Sequence, residues 1–148
     1  MFHRRAFMLS GLALMAGAPA LARTPEVFAA EGVAINGYDP VAYFTERAPV
    51  KGSAEFAATL NGATWYFASR YNLEQFQDSP STYRPQFGGY CAYAVARNYT
   101  AKTEPDAWSI VNGRLYLNFN RRVRRLWARD IPGNIARGNA NWPGVLSL

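Results

Sequence analysis

The chain has 148 residues, of which 16 are Lys or Arg, 10 are Asp or Glu, and 49% are hydrophobic. This composition is typical of one compact globular domain and excludes a long disordered chain. The only His is His3 and the only Cys is Cys91. Without residues 1–22 the chain has no imidazole, which excludes Ser-His-Asp and Cys-His triads. It also has too few His, Cys and Met ligands for the usual zinc and copper sites.

Residues 1–22 have the pattern of an export signal. Arg4 and Arg5 precede a short apolar stretch, and the small-x-small sequence of a signal-peptidase site follows at residues 20–22. The apolar stretch is shorter than the ~20 residues that cross a bilayer as a helix. The paired arginines resemble a twin-arginine signal, which exports folded proteins, and an ordinary secretion signal is the alternative. We therefore expect a periplasmic protein with no transmembrane segment after signal removal.

Residues 23–33 are predicted to be a lead-in to a domain that covers residues 34–148. Within that domain two Asn-Gly pairs are flanked by strand-like runs, and Asn-Gly supplies the two positive φ angles of a type I′ hairpin turn. One hairpin is predicted around Asn61-Gly62, and the other around Asn112-Gly113. Both hairpins contribute to the predicted sheet.

Helices are predicted between and after the two hairpins. Ser69 is the expected cap of a helix that ends at Gln77, before Pro80. A second helix is predicted at residues 89–97, and a third at residues 120–130 with Asn120 as its cap. The tail, residues 131–148, is expected to form a short helix or turn. The predicted architecture is a single α+β domain, with a small antiparallel sheet built from hairpins and several short helices packed on it.

Several groups of residues resemble the YHS domain family. The family core is matched by residues 66–69 together with Phe76, Pro80 and Tyr83. The exported bacterial branch of the family is matched by residues 35–44, 88–93, 130–133 and 141–143. Together these matches cover most of residues 34–145. The resemblance implies a small fold of a sheet with helices, and an exported location.

The same resemblance does not provide metal ligands. Better-known YHS domains are linked to metal handling through cysteines, and others belong to multicomponent monooxygenases. At the two positions where the family pattern has cysteines, this chain has Ala68 and Asn72. The Cys-x-x-Cys that often opens such domains also has no counterpart here.

Cys91 is a candidate for chemistry because it follows two glycines and opens a predicted helix. The amide groups at a helix start stabilise a thiolate, so we expect the pKa of this thiol to be lowered. Such a thiolate is a ligand for Cu(I), with a second ligand from a partner or from another copy in a homodimer. The alternative is a buried, inert side chain, since free Cys is among the most buried residue types.

Five aromatic residues are candidates to line a ligand pocket near Cys91: Tyr38, Tyr43, Trp65, Tyr90 and Tyr93. Aromatic side chains provide large contact surfaces in ligand pockets, although most of those in a small domain form its core. A pocket of this kind implies a binding function without catalysis.

The predicted helix at residues 120–130 is strongly basic. From residue 114 to residue 137, seven arginines accompany a single acid, Asp130. The positive electrostatic potential of these arginines attracts anionic partners. The candidate surface for such a partner consists of Arg121, Arg122, Arg125 and Arg129. The alternative is a solvated helix face whose Arg stems cover aromatic surface. Because export is expected, a nucleic acid is not an expected partner.

The sequence favours an exported YHS-like module that binds a small ligand or a protein partner, rather than an enzyme. The spacing of the acidic residues reveals no paired carboxylates of the kind that hydrolysis needs. The alternative function is that of a thiol-based redox or Cu(I)-handling protein that depends on Cys91.

Overall fold

The computed structural model describes residues 23–148, and the predicted export signal lies outside the described residues. The strands are β1 (Ala29–Ala30), β2 (Val33–Ala34), β3 (Ser53–Leu60), β4 (Ala63–Phe67), β5 (Trp108–Val111) and β6 (Arg114–Leu117). The helices are α1 (Ala42–Thr45), α2 (Arg70–Asp78), α3 (Pro80–Tyr83), α4 (Ala92–Val95), α5 (Arg121–Ala128) and α6 (Ile131–Asn141). Short 3₁₀ turns cover Ile35–Gly37, Gln86–Gly89 and Gly144–Ser147.

The strands form two sheets, and the predicted α+β class is confirmed. The larger sheet has the order β1-β2-β4-β3, and β5 pairs with β6 in a separate hairpin. The expectation of a purely antiparallel sheet is wrong, because β2 runs parallel to β4, with Val33 opposite Thr64. β2 precedes the β3–β4 hairpin in the chain. Between β2 and β4 the chain passes through α1 and β3, and this long crossover lets the two strands run in the same direction.

Both predicted hairpins are confirmed. Asn61 and Gly62 have φ angles of 53° and 80°, and Asn112 and Gly113 have φ angles of 52° and 74°. These are the left-handed conformations that a two-residue type I′ turn requires. The turns set the strand registers of the two hairpins. In the β3–β4 hairpin, Leu60 lies opposite Ala63.

Two of the predicted helices begin at the predicted caps. The Ser69 hydroxyl accepts a hydrogen bond from the Asn72 N–H at 3.1 Å, and the Asn120 side chain accepts one from the Val123 N–H at 2.9 Å. Each cap satisfies an N–H group that has no partner within its own helix.

The tail forms a longer helix than predicted. Pro132 lies in the first turn of α6, where the missing N–H is not needed, and the Asp130 carboxylate accepts a hydrogen bond from the Gly133 N–H at 3.0 Å. The Pro-Gly pair therefore starts this helix instead of breaking it. The 11 residues of α6 pack against α4 and α5.

The prediction of a helix at residues 89–97 is wrong in its extent, because only Ala92–Val95 are helical. Phe87, Gly88 and Gly89 have φ angles of 57°, 63° and 85°, and this left-handed run cannot continue into a right-handed helix. The Cys91 N–H bonds to the Ala101 carbonyl at 3.0 Å, outside any helix.

The interior contains two hydrophobic clusters. The first is packed around Trp65, Phe67 and Phe76 between the larger sheet and α2, and the second around Phe87 and Trp127 beside α5 and α6. The predicted lead-in, residues 23–33, is part of the fold rather than a preceding segment, since it contains β1 and contributes Val27 to the first cluster. None of the helices in residues 23–148 has the length and apolarity to cross a membrane.

The buried carboxylate of Asp39 joins three segments of the chain. Its Oδ1 accepts hydrogen bonds from the N–H groups of Val41 at 2.8 Å and Ala42 at 3.3 Å. Its Oδ2 accepts hydrogen bonds from the Ala68 N–H at 2.8 Å and the Asn72 side-chain amide at 2.7 Å. A charge removed from water needs such partners, and here four N–H donors surround it.

Replacing Asp39 by Ala should lower the free energy of unfolding by about 3 kcal/mol, because four donors lose their common acceptor. Asn72→Ala removes only one of the four bonds and should cost about 1 kcal/mol. Urea denaturation followed by tryptophan fluorescence measures both values. Equal urea midpoints for the wild type and the Asp39→Ala variant would contradict this role.

Candidate functional site

A cleft of about 260 Å³ lies where five separate segments of the chain meet. Its lining consists of Glu26, Val27, Asn61, Trp65, Ser81, Arg84, Pro85, Gln86, Phe87, Gly88, Arg114, Asn139 and Trp142. The longest contribution is the run of residues 84–88 that follows α3. The other residues come from the N-terminal segment, the β3–β4 hairpin, β6 and the end of α6, together with Ser81 of α3.

The run of residues 84–88 is held in place by close backbone contacts. A Cβ atom at Gly88 would overlap the Glu26 carbonyl oxygen, so this position requires glycine both for space and for its φ of 63°. The Gly88 carbonyl also accepts a hydrogen bond from the Phe28 N–H at 2.9 Å. One side of the cleft is thereby fixed to the N-terminal segment.

Aromatic rings form the interior of the cleft. The buried Phe87 ring lies 6.0 Å from the rings of both Tyr116 and Trp142, measured between centroids. Gly138 makes room for Phe87, since a Cβ atom there would come within 2.6 Å of the Phe87 ring. Trp142 is half-buried and packs on Tyr90 at 6.4 Å, so part of its ring remains accessible from the cleft.

The charged groups of the cleft are Arg84, Arg114 and Glu26, and all three are exposed. Within residues 23–148 the ion pairs are Arg121 with Asp106 and Arg137 with Asp130. The three charges of the cleft are therefore not neutralised by a described side chain. They face the same space together with the amide side chains of Asn61, Gln86 and Asn139.

A second depression continues the cleft on the side of β6. It shares Gln86, Arg114 and Asn139 with the cleft and adds Asn112, Tyr116 and Ile135. Burial raises the pKa of Tyr116, and the nearby Arg114 guanidinium partly offsets this rise. Arg114 thus lies at the boundary of two connected concave surfaces.

The five predicted aromatic residues do not line one pocket. Trp65 reaches the cleft, but it is almost entirely buried in the first hydrophobic cluster with Tyr43. Tyr90 belongs to the second cluster, and Tyr93 packs against it. Tyr38 is half-buried and forms an isolated bridge with Lys51.

The polar atoms of Tyr43, Trp65 and Tyr90 are satisfied inside the protein. The Tyr43 hydroxyl donates to the Pro105 carbonyl at 2.7 Å, and the Trp65 indole donates to the Leu60 carbonyl at 3.1 Å. The Tyr90 hydroxyl donates to the Pro25 carbonyl at 2.8 Å. Burial raises the pKa of Tyr43 far above its usual range, so its hydroxyl stays protonated. These three side chains act as structural aromatics.

Cys91 is buried, with 2% of its surface exposed, and its Sγ lies 3.5 Å from the Asn118 side-chain oxygen. The predicted lowering of its pKa is wrong, because burial raises the pKa of this thiol. The N–H groups of Tyr93 and Ala94 at the helix start favour the thiolate as predicted, and so does the N–H of Phe119, but their effect is smaller than the effect of desolvation.

Ala68 and Asn72, the two positions at which the resemblance predicts no metal ligands, lie at the Asp39 carboxylate. Ala68 and Asn72 each donate a hydrogen bond to Asp39 Oδ2. Together with the bonds to Oδ1, these fill the acceptor positions that a cation would need. This cluster therefore does not fit a metal ion. Within residues 23–148, no three or more His, Cys, Asp or Glu side chains form a group suited to metal binding.

The predicted basic surface is an exposed face of α5. Arg121 pairs with Asp106 at 2.9 Å, and Arg124, outside the predicted set, donates to the Ser109 hydroxyl at 2.9 Å. Arg122, Arg125 and Arg129 are also exposed, and among the described residues they form no ion pair. On the opposite face of α5, Trp127 is fully buried. The helix therefore has a solvated arginine face and an apolar face that packs on the interior.

Most of the cleft was not identified from the sequence. In the sequence, Trp142 belongs to the residues that resemble the family and Gly88 to the glycine pair before Cys91, whereas Arg84 and Arg114 are not among the candidate site residues. The two adjacent glycines at residues 88–89 were the available signal, since such a pair often marks a close backbone approach.

Comparison of the chain with protein-family models, with curated proteins and with solved structures finds no significant match. The resemblance to the YHS family therefore remains an expectation from the quoted residues.

We expect the Cys91 thiol to react slowly with Ellman's reagent in the folded protein, because it is buried and protonated. A Cys91→Ala variant that also carries Ser147→Cys presents an exposed thiol and provides the reference rate. The native rate should be at least roughly tenfold below this reference and should become equal to it in urea. Equal rates without urea would contradict the buried position.

The raised pKa of Cys91 also predicts a pH dependence of stability. The unfolded state releases the thiol proton near pH ~8.5, before the folded state does, so the contribution of this group is lost as pH rises through the folded pKa. The difference in unfolding free energy between the wild type and Cys91→Ala should be constant below pH ~8 and should fall above it. Urea titrations at several pH values measure this difference, in which the tyrosines cancel. A difference that rises with pH would disprove the sign.

Proposed function

We propose that this protein is a non-enzymatic module that binds a small ligand, and that the cleft lined by residues 84–88 is its binding site. The observation that carries the proposal is the juxtaposition of accessible aromatic surface with charged and amide side chains in one concave site. Ligand sites typically combine an apolar lining with a few polar groups that orient the ligand.

The residues of the cleft favour binding over catalysis. Glu26 is its only carboxylate, and the two arginines are not paired with it at salt-bridge distance. The thiol of Cys91 is absent from the lining and is buried. A serine hydroxyl such as that of Ser81 becomes a nucleophile when an adjacent base activates it, and Ser81 forms no hydrogen bond to a base among the described residues.

The setting of the proposed module is the periplasm. The export pattern of residues 1–22 and the resemblance to the exported branch of the YHS family both support this location. The alternative function, redox or Cu(I) chemistry at Cys91, has weaker support. The burial that raises the pKa of the thiol opposes both reactions, which need an accessible thiolate.

Filling the cleft should abolish binding. Asn139 is an exposed residue that lines the cleft from α6, so Asn139→Trp places an indole in the site. Ala136, an exposed residue of the same helix outside the lining, provides the matched control Ala136→Trp. In a fragment screen followed by amide chemical shifts, a fragment that perturbs Gln86 and Gly88 should bind the wild type and the control, but not Asn139→Trp.

Two results would overturn this assignment. One is a screen in which no fragment perturbs the lining residues of the wild type. The other is a fragment that perturbs them equally in the wild type, the control and Asn139→Trp. Ser81→Trp fills the cleft from α3 and provides a second blocking variant if the first fails to fold.

A further inference from the structure

The two arginines of the cleft are placed there by separate elements. Arg84 follows α3, and Arg114 is the first residue of β6, directly after the Asn112-Gly113 turn. Neither guanidinium is within 4 Å of a carboxylate oxygen in residues 23–148, where only two other arginines form ion pairs. The cleft thus carries two cations that the described part of the chain does not neutralise.

The third charge of the cleft, Glu26, leaves an excess of positive charge. With two arginines and one glutamate, the lining carries a formal charge of one positive unit. Arginine presents a planar fork of donors that matches a carboxylate in two parallel hydrogen bonds. The cleft is therefore better suited to an anion than to a cation or a neutral ligand.

The aromatic ring that the cleft exposes belongs to Trp142. The Trp142 ring is half-buried on Phe87, so one part of it is fixed while another part faces the cleft. Rings held in this way favour planar apolar groups, which stack at low entropic cost. The amides of Gln86 and Asn139 add both donors and acceptors.

We propose that the ligand is a small carboxylic acid with a planar apolar body, with its carboxylate at Arg84 and Arg114 and its body against Trp142. This inference rests on the proposed function and adds the chemical class of the ligand. A cleft of about 260 Å³ has room for a single-ring acid but not for a large cofactor.

Phenylacetate and phenylacetamide test the charge requirement, because they have nearly the same shape and differ in the carboxylate. Titration of the purified protein, followed by the amide shifts of Gln86 and Gly88, gives both dissociation constants. Phenylacetate should bind at least about fivefold more tightly. The preference should weaken at high salt, since the arginines are exposed.

Variants of the charged residues test the assignment of the carboxylate. Arg84→Gln and Arg114→Gln should each weaken phenylacetate binding about fivefold, and the double variant should remove the preference over phenylacetamide. Arg70→Gln changes an exposed arginine outside the cleft and should have no effect. Glu26→Gln removes a negative charge and should strengthen phenylacetate binding about twofold.

The outcomes separate this inference from the proposed function. Equal binding of the acid and the amide at Gln86 and Gly88, unchanged in the double variant, would refute the acid while leaving the cleft as a binding site. Failure of both compounds to perturb the lining would also refute the acid, and the fragment screen then decides on the cleft itself. Perturbation confined to α5 would show general attraction to arginine and refute the inference.

Discussion

The fold depends on the burial of one negative charge. The Asp39 carboxylate is fully removed from water, and its two oxygens take N–H donors from the start of α1, the end of β4 and the first turn of α2. A buried carboxylate without donors is costly, so these three segments are stable only in one relative arrangement. That arrangement sets α2 against the larger sheet and encloses Phe76 between Trp65 and Phe67. Two of these bonds come from the backbone N–H of Ala68 and the side-chain amide of Asn72.

Local signals in the sequence predicted the features that local physics determines. The Asn-Gly turns and the caps Ser69 and Asn120 act through bonds or angles within a few residues, so their identity is sufficient to predict them. The turn at residues 86–89 could not be predicted in this way. Phe87 adopts a positive φ because Gly88 meets Glu26 and the Phe87 ring packs between Tyr116 and Trp142, and these contacts join residues distant in sequence. The helix predicted at residues 89–97 is therefore limited to Ala92–Val95.

In the candidate site too, some features follow from local sequence and others depend on contacts between distant residues. Aromatic residues can be counted in a sequence, but whether a ring faces the core or a cleft depends on tertiary packing. Tyr43 and Tyr90 donate their hydroxyls to backbone carbonyls inside the fold, whereas Trp142, on the last turn before the C-terminal segment, remains partly accessible. Cys91 illustrates a balance that only a structure can determine. The backbone amides that favour its thiolate are present, and burial nevertheless outweighs them.

The two ends of the described chain are held together, and this constrains the order in which the protein becomes native. The Thr24 N–H bonds to the Leu146 carbonyl at 3.0 Å, and Pro25 accepts the hydroxyl of Tyr90, whose ring also packs on Trp142. The hydrogen bond of Thr24 therefore forms only after Leu146 has left the ribosome. Contacts this distant in sequence close late and slow the final folding step. The hydrogen bond that joins Thr24 to Leu146 is thus among the last tertiary contacts to form.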